Sequence, residues 1–264
     1  MDPVLRVAFA VALFAISHIG LGWPPVRQFL VARLGRWGFT LLFSLVAWIT
    51  FGSAVATYAA HAGEGPAGLA LGAHPAARFV LVAAIVLGSM LMAGTFAGYI
   101  GSPYSFSGEQ RREPRGLERV TRHPFFVGTA LLGGAHALLA TRLIGAFLMG
   151  SLALFALLGA WFQDRKLLAL RGEPYAVYLA ATSTVPFAAI AAGRQRLVAS
   201  ELPYGTLLLG LALAWLLRSL HAHLFAHGGV YVIGALVIGP LVILASEWRR
   251  DRRSRRPGSP VAVG

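Results

Sequence analysis

The stretch RHPFFVGTALLGGAHALLATRLIGAFLMGSLALFALLGAWF, Arg122 to Phe162, decides the fold. Crossing ~30 Å of hydrocarbon takes about 20 helical residues, so this apolar run is far too long for a single span. The short polar break in ALLATRLIG leaves room for only a tight turn. Two antiparallel helices follow, Pro124 to Ala140 and Leu143 to Phe162, with Arg122 and His123 at the polar edge of the first and Pro124 suited to its opening turn.

Outward from this hairpin the same criterion marks Val4 to Trp23, Gly38 to Ala60, Ala76 to Ile100, Leu202 to Leu220 and Gly229 to Ser246. The sequence thus predicts an all-α polytopic membrane helical bundle of about seven transmembrane helices. Composition agrees: 57% hydrophobic and 12% charged residues with a mean hydropathy of +0.68 leave too little polar surface for a soluble globule.

Of the 23 Lys and Arg residues, only Arg6, Arg78, Arg142 and Arg218 fall on one side of this arrangement. The positive-inside rule then predicts an external N-terminus and a cytoplasmic C-terminus. The net charge of +13 reads as topology and lipid contact, above all in RRDRRSRR, Arg249 to Arg256, where each Arg near anionic headgroups gains about 1 kcal/mol. The tail lacks the interleaved aromatics and folded module of a nucleic-acid binder, so no nucleic-acid partner is expected. The first run has neither a basic start nor a small-residue cleavage site, and is expected to be retained as a span. With no cysteine in the chain, disulfides, thiolate nucleophiles and Cys-ligated metals are excluded.

Two loops carry the remaining organisation. Gly101 to Thr121 is rich in Gly, Pro and Ser and turns amphipathic from Arg115, which predicts a short interfacial helix. In Gln163 to Glu201, leucines and tyrosines recur at helical spacing among charges, as in a segment lying in the headgroup plane. Both fall on the predicted cytoplasmic side, so Arg122, His123, Asp164, Tyr175 and Tyr178 are expected to line one polar pocket able to hold an anionic or amphiphilic ligand, with Arg122 as its partner.

Inside the spans ionisable residues are costly and mark function or packing. His18 lies in AISHIGLG and His136 in LLGGAHALL, each beside glycines that allow close approach. The structural alternative for both is a hydrogen bond across helices. For Arg122 and His123 it is interfacial anchoring, for Gly94 to Gly98 (GTFAG) helix packing, and for Tyr175 and Tyr178 an aromatic belt. HAHLFAH, His221 to His227, has metal-ligand spacing and nothing more.

Several stretches resemble the NnrU family of bacterial membrane proteins: SHIGLGWPPVRQFLVARLGRWGFTLLFSLV (Ser17 to Val46), SPYSF (Ser102 to Phe106), RGLERVTRHPFFVGTALLGGAHALL (Arg115 to Leu139) and TSTVPFAAI (Thr182 to Ile190). The resemblance implies residence in a bacterial inner membrane and an association with nitrite and nitric-oxide metabolism in denitrification. It divides the chain into an NnrU-like membrane domain at 1–200, two further helices packed on it at 201–248, and a basic tail at 249–264.

The related plant zeta-carotene isomerases bind haem b through two histidines, which implies His18 and His136 as iron ligands here, while the cysteine three residues before the second histidine is replaced by Gly133. The isoprenylcysteine and phospholipid methyltransferases share the RHP start and a pattern E-E-x-x-L-x-x-x-F-G-x-x-Y-x-x-Y. In this chain Leu167, Gly172, Tyr175 and Tyr178 match it, whereas Gln163, Asp164 and Arg171 replace Glu, Glu and Phe. Three classes stand: a haem-b-binding membrane protein, a membrane S-adenosylmethionine-dependent methyltransferase, and a non-catalytic accessory factor, each in contact with membrane lipid and with a small or lipophilic substrate where there is one.

Overall fold

Proline and glycine set the ends of the helices. Helix α1 (Pro3–Gly22) starts where the Asp2 carboxylate accepts from the backbone N–H groups of Val4 (2.8 Å) and Leu5 (3.2 Å), two of the donors that a first turn leaves unmet. Proline opens α2 (Pro24–His61), α3 (Pro75–Gly94) and α5 (Pro124–Leu139), where its missing N–H costs nothing. A single turn, α4 (Leu117–Val120), precedes α5, and α6 (Leu143–Arg171) follows it. Gly172, at φ 61°, ends α6, a conformation that glycine alone adopts freely. Then come α7 (Glu173–Ala181), α8 (Ala188–Ala191) and α9 (Tyr204–Ser219). This computed structural model describes residues 2–97 and 113–225, with positions 227, 229–234, 238, 241 and 245.

The result is an all-α membrane bundle. Helices α1, α2, α3 and α6 are long and apolar enough to cross a membrane, and α5 and α9 are apolar helices of 16 residues each. Six of the seven expected spans thus coincide with helices. Of the seventh, 229–234 is helical and most of the remainder lies outside the described residues. SPYSF, Gly98 and the tail from Arg249 also lie outside them.

Two boundaries differ from expectation. The basic stretch between the first two spans is helical from Pro24 and joins the second span through a break at Gly35 (φ 72°, ψ 170°). Helix α6 does not stop at Phe162 but continues through Arg171, because DRKLLALR keeps a helical repeat of leucines and nothing interrupts it before Gly172. Asp164 therefore stands on the end of a long, rigid helix rather than in an interfacial loop.

Helix α1 packs on α2 and α6, α5 packs on both α3 and α6, and α9 packs on α3. Val7, Ala10, Ala54, Ile144 and Leu148 form the core of the first group, and Leu91, Leu117 and Val127 that of the second. Where α3 crosses α5, a Cβ on Gly88 would stand 2.6 Å from the Gly128 carbonyl oxygen, so the glycines permit contact between helix backbones. The outer surface is strongly apolar: Phe9, Ile16, Phe79 and Trp215 are each about 70% exposed or more, as lipid-facing side chains are. Within the spans Thr50, Ser53, Thr57 and Ser89 donate their hydroxyls to carbonyls four residues back, which satisfies these groups where no water is at hand.

At the far end the α5–α6 turn is clamped by the loop before α3. Gly68 and Ala70 donate to Thr141 and Ala140, and Leu143 donates to Pro66. Arg142 adds a bond to the Gly65 carbonyl.

Candidate ligand site at the polar end of the bundle

The residues of RHP are positioned from two directions. Arg122 and His123 are held at the mouth of α5 by Pro124, and their backbone is strapped to the TSTVPF segment that follows α7. Arg122 N–H donates to the Ser183 carbonyl (2.9 Å), the Thr121 hydroxyl to Thr184 (2.8 Å) and Phe187 N–H to Val120 (2.9 Å). Two stretches about sixty residues apart thereby become one platform. Thr121, His123 and Thr182 are almost fully buried in it.

Asp164 of α6 is the point on which the platform converges. Arg122 grips its carboxylate through Nε (3.2 and 3.0 Å) and Nη2 (2.8 Å). The His123 Nε2–H donates to Oδ1 at 2.7 Å and the Tyr175 hydroxyl donates to the same oxygen at 2.8 Å. Burial first, then the neighbouring carboxylate, pushes the Tyr175 hydroxyl above its ordinary range, so it stays a donor. Tyr178 stacks on Tyr175 with ring centroids 5.5 Å apart, and Leu167 packs beneath the pair.

Four of the five residues expected to share this pocket meet on one carboxylate, with Tyr178 against them. The role given to Arg122 is different, however. Its charge is matched by Asp164 inside the cluster, where the side chains of Arg122 and Asp164 are only 16% and 14% exposed. Asp164 is equally committed, with every recorded partner a donor of this chain.

A cavity of about 800 Å³ opens beside the cluster. Tyr175 and Tyr178 line it, with Val177 and the arginines 119, 171, 194 and 196. Arg119 is fixed by Glu201 (2.8 and 3.0 Å) and Gln195 (3.0 Å), and Arg194 Nη1 donates to the carbonyls of Ala180 and Thr182. Of these arginines the sequence pattern marks only Arg171, as a departure from the methyltransferase motif. Glu201 lies 82 residues from Arg119, so the signal for their pairing was in the tertiary structure alone.

The span histidines are elsewhere. His18 of α1 sits among Phe14, Phe43 and Phe155, with ring centroids at 5.2, 4.5 and 5.4 Å, and its buried Nδ1 has no partner among the described residues. His136 of α5 donates Nδ1–H to the Leu132 carbonyl (2.8 Å), and its ring faces His221, after α9, at 6.1 Å. The ring contacts of the two histidines have no residue in common. One iron held by both would need each imidazole nitrogen at about 2 Å, whereas the His136 ring faces His221 and the His18 ring lies against phenylalanines. At Gly133 a Cβ would meet the Met149 carbonyl oxygen at 2.7 Å, so the α5–α6 contact closes the position at which the isomerases carry cysteine. Among the described residues no three His, Asp or Glu side chains gather as a metal site.

A bundle of apolar helices with a buried polar cluster and a basic cavity at one end defines an integral membrane protein with a candidate ligand site at the edge of its helices. The NnrU protein family matches residues 6–229, and the chain belongs to that family. It is similar to the chloroplastic 15-cis-zeta-carotene isomerase of Arabidopsis thaliana, 29% identical over 199 residues, which are 74% of this chain and 52% of that protein. The isomerase of the same name from Zea mays is 42% identical over 82 residues, 31% of this chain and 22% of that protein. The chain spans about half the length of the first of these relatives and less of the second. No solved structure matches it.

Proposed function

We propose that this NnrU-family protein binds a cofactor at the polar end of its bundle, beside the Asp164 cluster. The observation that carries the reading is the convergence of Arg122, His123 and Tyr175 on Asp164 at the wall of a cavity of about 800 Å³, a volume usual for small-molecule sites. Haem b is the first candidate. The similarity to the isomerases supports it, and its flat apolar ring and two carboxylates match a cavity lined by tyrosines and arginines. The histidines bear on the form of binding: neither His18 nor His136 lines this cavity, so a haem seated in it would be held by its tyrosines and arginines, whereas an iron ligated by His18 would sit in the aromatic nest inside the bundle. The nitrite and nitric-oxide context of the family is the physiological setting of this reading, and a bacterial inner membrane its location, with the N-terminus outside and the C-terminus cytoplasmic.

S-adenosylmethionine is the second reading, favoured by one specific observation. The stacked pair Tyr175–Tyr178 lines the cavity and offers aromatic faces of the kind that hold a sulfonium cation, with the Asp164 carboxylate behind it.

The deciding experiment is purification of the full chain in detergent, with an absorption spectrum before and after haem supplementation and a binding titration with S-adenosylhomocysteine. A Soret band establishes the haem reading, and saturable binding without colour the methyltransferase reading. A colourless protein that binds neither removes both and leaves an accessory factor. Reporters fused at Asp2 and after Gly264 test orientation, and equal reporter activity on one side would overturn the proposed topology.

A further inference from the structure

Helix α2 begins with a segment that the rest of the bundle hardly covers. In 24–34, between the helix start and the break at Gly35, only Leu30 and Val31 are even partly shielded. No acid stands between Asp2 and Glu64 in the sequence, and Arg27 and Arg33 have no carboxylate partner among the described residues. Each is seated on an aromatic ring instead, Arg27 over Phe39 at 5.5 Å from the ring centre and Arg33 over Phe29 at 4.9 Å. Twelve residues of unbroken helix would hold Arg27 and Phe39 about 18 Å apart, so the break at Gly35 is what lets them meet. The end of α6 repeats the pattern. Arg165 lies over Trp161 at 3.9 Å, and its neighbour Lys166 stands close enough to Arg27 for the two charges to repel. Neither Arg165 nor Lys166 has a carboxylate partner among the described residues. A guanidinium stacked on a ring keeps its N–H edge for an oxyanion, and two like charges brought together from separate helices are relieved by an anion beside both.

We propose that the opening segment of α2 lies in the headgroup layer of the membrane and, with the end of α6, binds an anionic phospholipid whose phosphate is received by Arg27 and Lys166. The phospholipid is favoured over free phosphate because the rings under Arg33 and Arg165, those of Phe29 and Trp161, are about half exposed. A soluble anion would leave them in water, whereas the interfacial layer suits a ring beside a cation. The site is separate from the Asp164 cluster, where Arg122 already has its carboxylate. It stands whichever ligand the cavity takes, since neither Arg27 nor Lys166 lines that cavity.

The full-length protein is reconstituted into nanodiscs of mixed phosphatidylglycerol and phosphatidylcholine, and the lipid it retains is identified by native mass spectrometry. Wild type is expected to keep phosphatidylglycerol in preference to phosphatidylcholine, and Arg27→Gln/Lys166→Gln to lose that preference by about tenfold. Thermal unfolding is expected to stay unchanged, because neither side chain gives up an ion pair. Arg27→Gln and Lys166→Gln singly are expected to fall between, and they decide the matter if the double variant does not fold. Arg27→Lys keeps the charge and is expected to retain most of the preference. Arg78→Gln/Arg218→Gln removes two charges at the other end of the bundle, near the start of α3 and the end of α9, and is expected to change nothing. Unchanged preference without Arg27 and Lys166 overturns the proposal. An equal loss in the far-end pair does so too, since net charge alone would then draw the lipid, as does displacement of the lipid by millimolar inorganic phosphate, which assigns the site to a free anion.

Discussion

His123 and His18 are two histidines of one bundle, each with a buried Nδ1 that has no partner among the described residues, and they are treated in opposite ways. His123, at the mouth of α5, is backed by Asp164, flanked by Arg122 and Tyr175, and sealed by a strap from beyond α7. His18, inside α1, lies against the rings of Phe14, Phe43 and Phe155. The difference follows from what each place can supply. At the polar end, loops and helix termini bring charged side chains from three elements to one point, whereas within the spans a neighbour is nearly always apolar. A polar network can therefore gather at the end of the bundle, whereas inside it a ring nitrogen either meets a backbone carbonyl, as in His136, or has no partner among the described residues, as in His18.

The sharpest way to break this comparison is Asp164→Asn. Removing one partner of a largely buried ion pair leaves the other uncompensated, with a cost of about 3–5 kcal/mol, and here Arg122 loses its counter-charge while His123 and Tyr175 are left with a neutral amide oxygen in place of a carboxylate. Because Arg122 and Asp164 keep some exposure, a loss near the lower bound, about 3 kcal/mol, is expected in detergent unfolding. A loss under ~0.5 kcal/mol, the level of an ordinary surface change, would show that water supports the cluster and that it is no more completed than the surroundings of His18.

Gly133→Cys has the next largest effect. The new side chain collides with the Met149 carbonyl across the α5–α6 contact, and overpacking of this kind costs about 1–3 kcal/mol. The variant is expected to melt earlier without any new thiolate-dependent absorption. A stable variant with a shifted spectrum would mean that α5 and α6 separate enough to admit a ligand between them.

His18→Leu sharpens the contrast from the other side. With the unmet nitrogen removed and the aromatic nest kept apolar, stability is expected to rise by up to ~1 kcal/mol. The same substitution leaves a colourless protein if His18 ligates haem, so the thermal and optical measurements together distinguish packing from ligation. A fall in stability with an unaltered spectrum would refute both roles.

The smallest effect lies at Glu201. Its hydrogen bond from Arg119 first, then that from the Gly116 N–H, holds its carboxyl at about 2, below the ordinary 4.5. A carboxylate held low contributes stability that is present above its ordinary range and is lost as pH falls from 4.5 through about 2. Glu201→Gln is expected to flatten that part of an acid-unfolding titration while leaving stability at pH 7 nearly unchanged, since the pair is exposed. Identical acid profiles for the two proteins would show that the Arg119–Glu201 link does not hold the cavity wall.

Much of this was legible in the residues. The hairpin of α5 and α6, the helical class and the gathering of Arg122, His123, Asp164 and Tyr175 at one end all follow from apolar length, proline position and the RHP and tyrosine motifs, because each depends on local chain properties or on which end of a span a residue occupies. Two local readings failed where a helix outran its apolar segment. Neither the basic stretch after Trp23 nor the charged end of α6 carries a stop signal before Gly35 and Gly172, and hydropathy ends sooner than hydrogen bonding does.

What the sequence by itself determined is therefore the membrane class, the helices and the end at which polar chemistry collects. The tertiary structure alone decided which charge is spent and which is available. Arg122 is silenced by Asp164, Arg119 by Glu201, and His136 faces His221 rather than His18. Pairings of this kind join residues on separate helices or dozens of positions apart. They are set by the crossing of α3, α5 and α6 at their glycines and by the strap across the platform, and no periodicity in a single segment encodes a contact made by two.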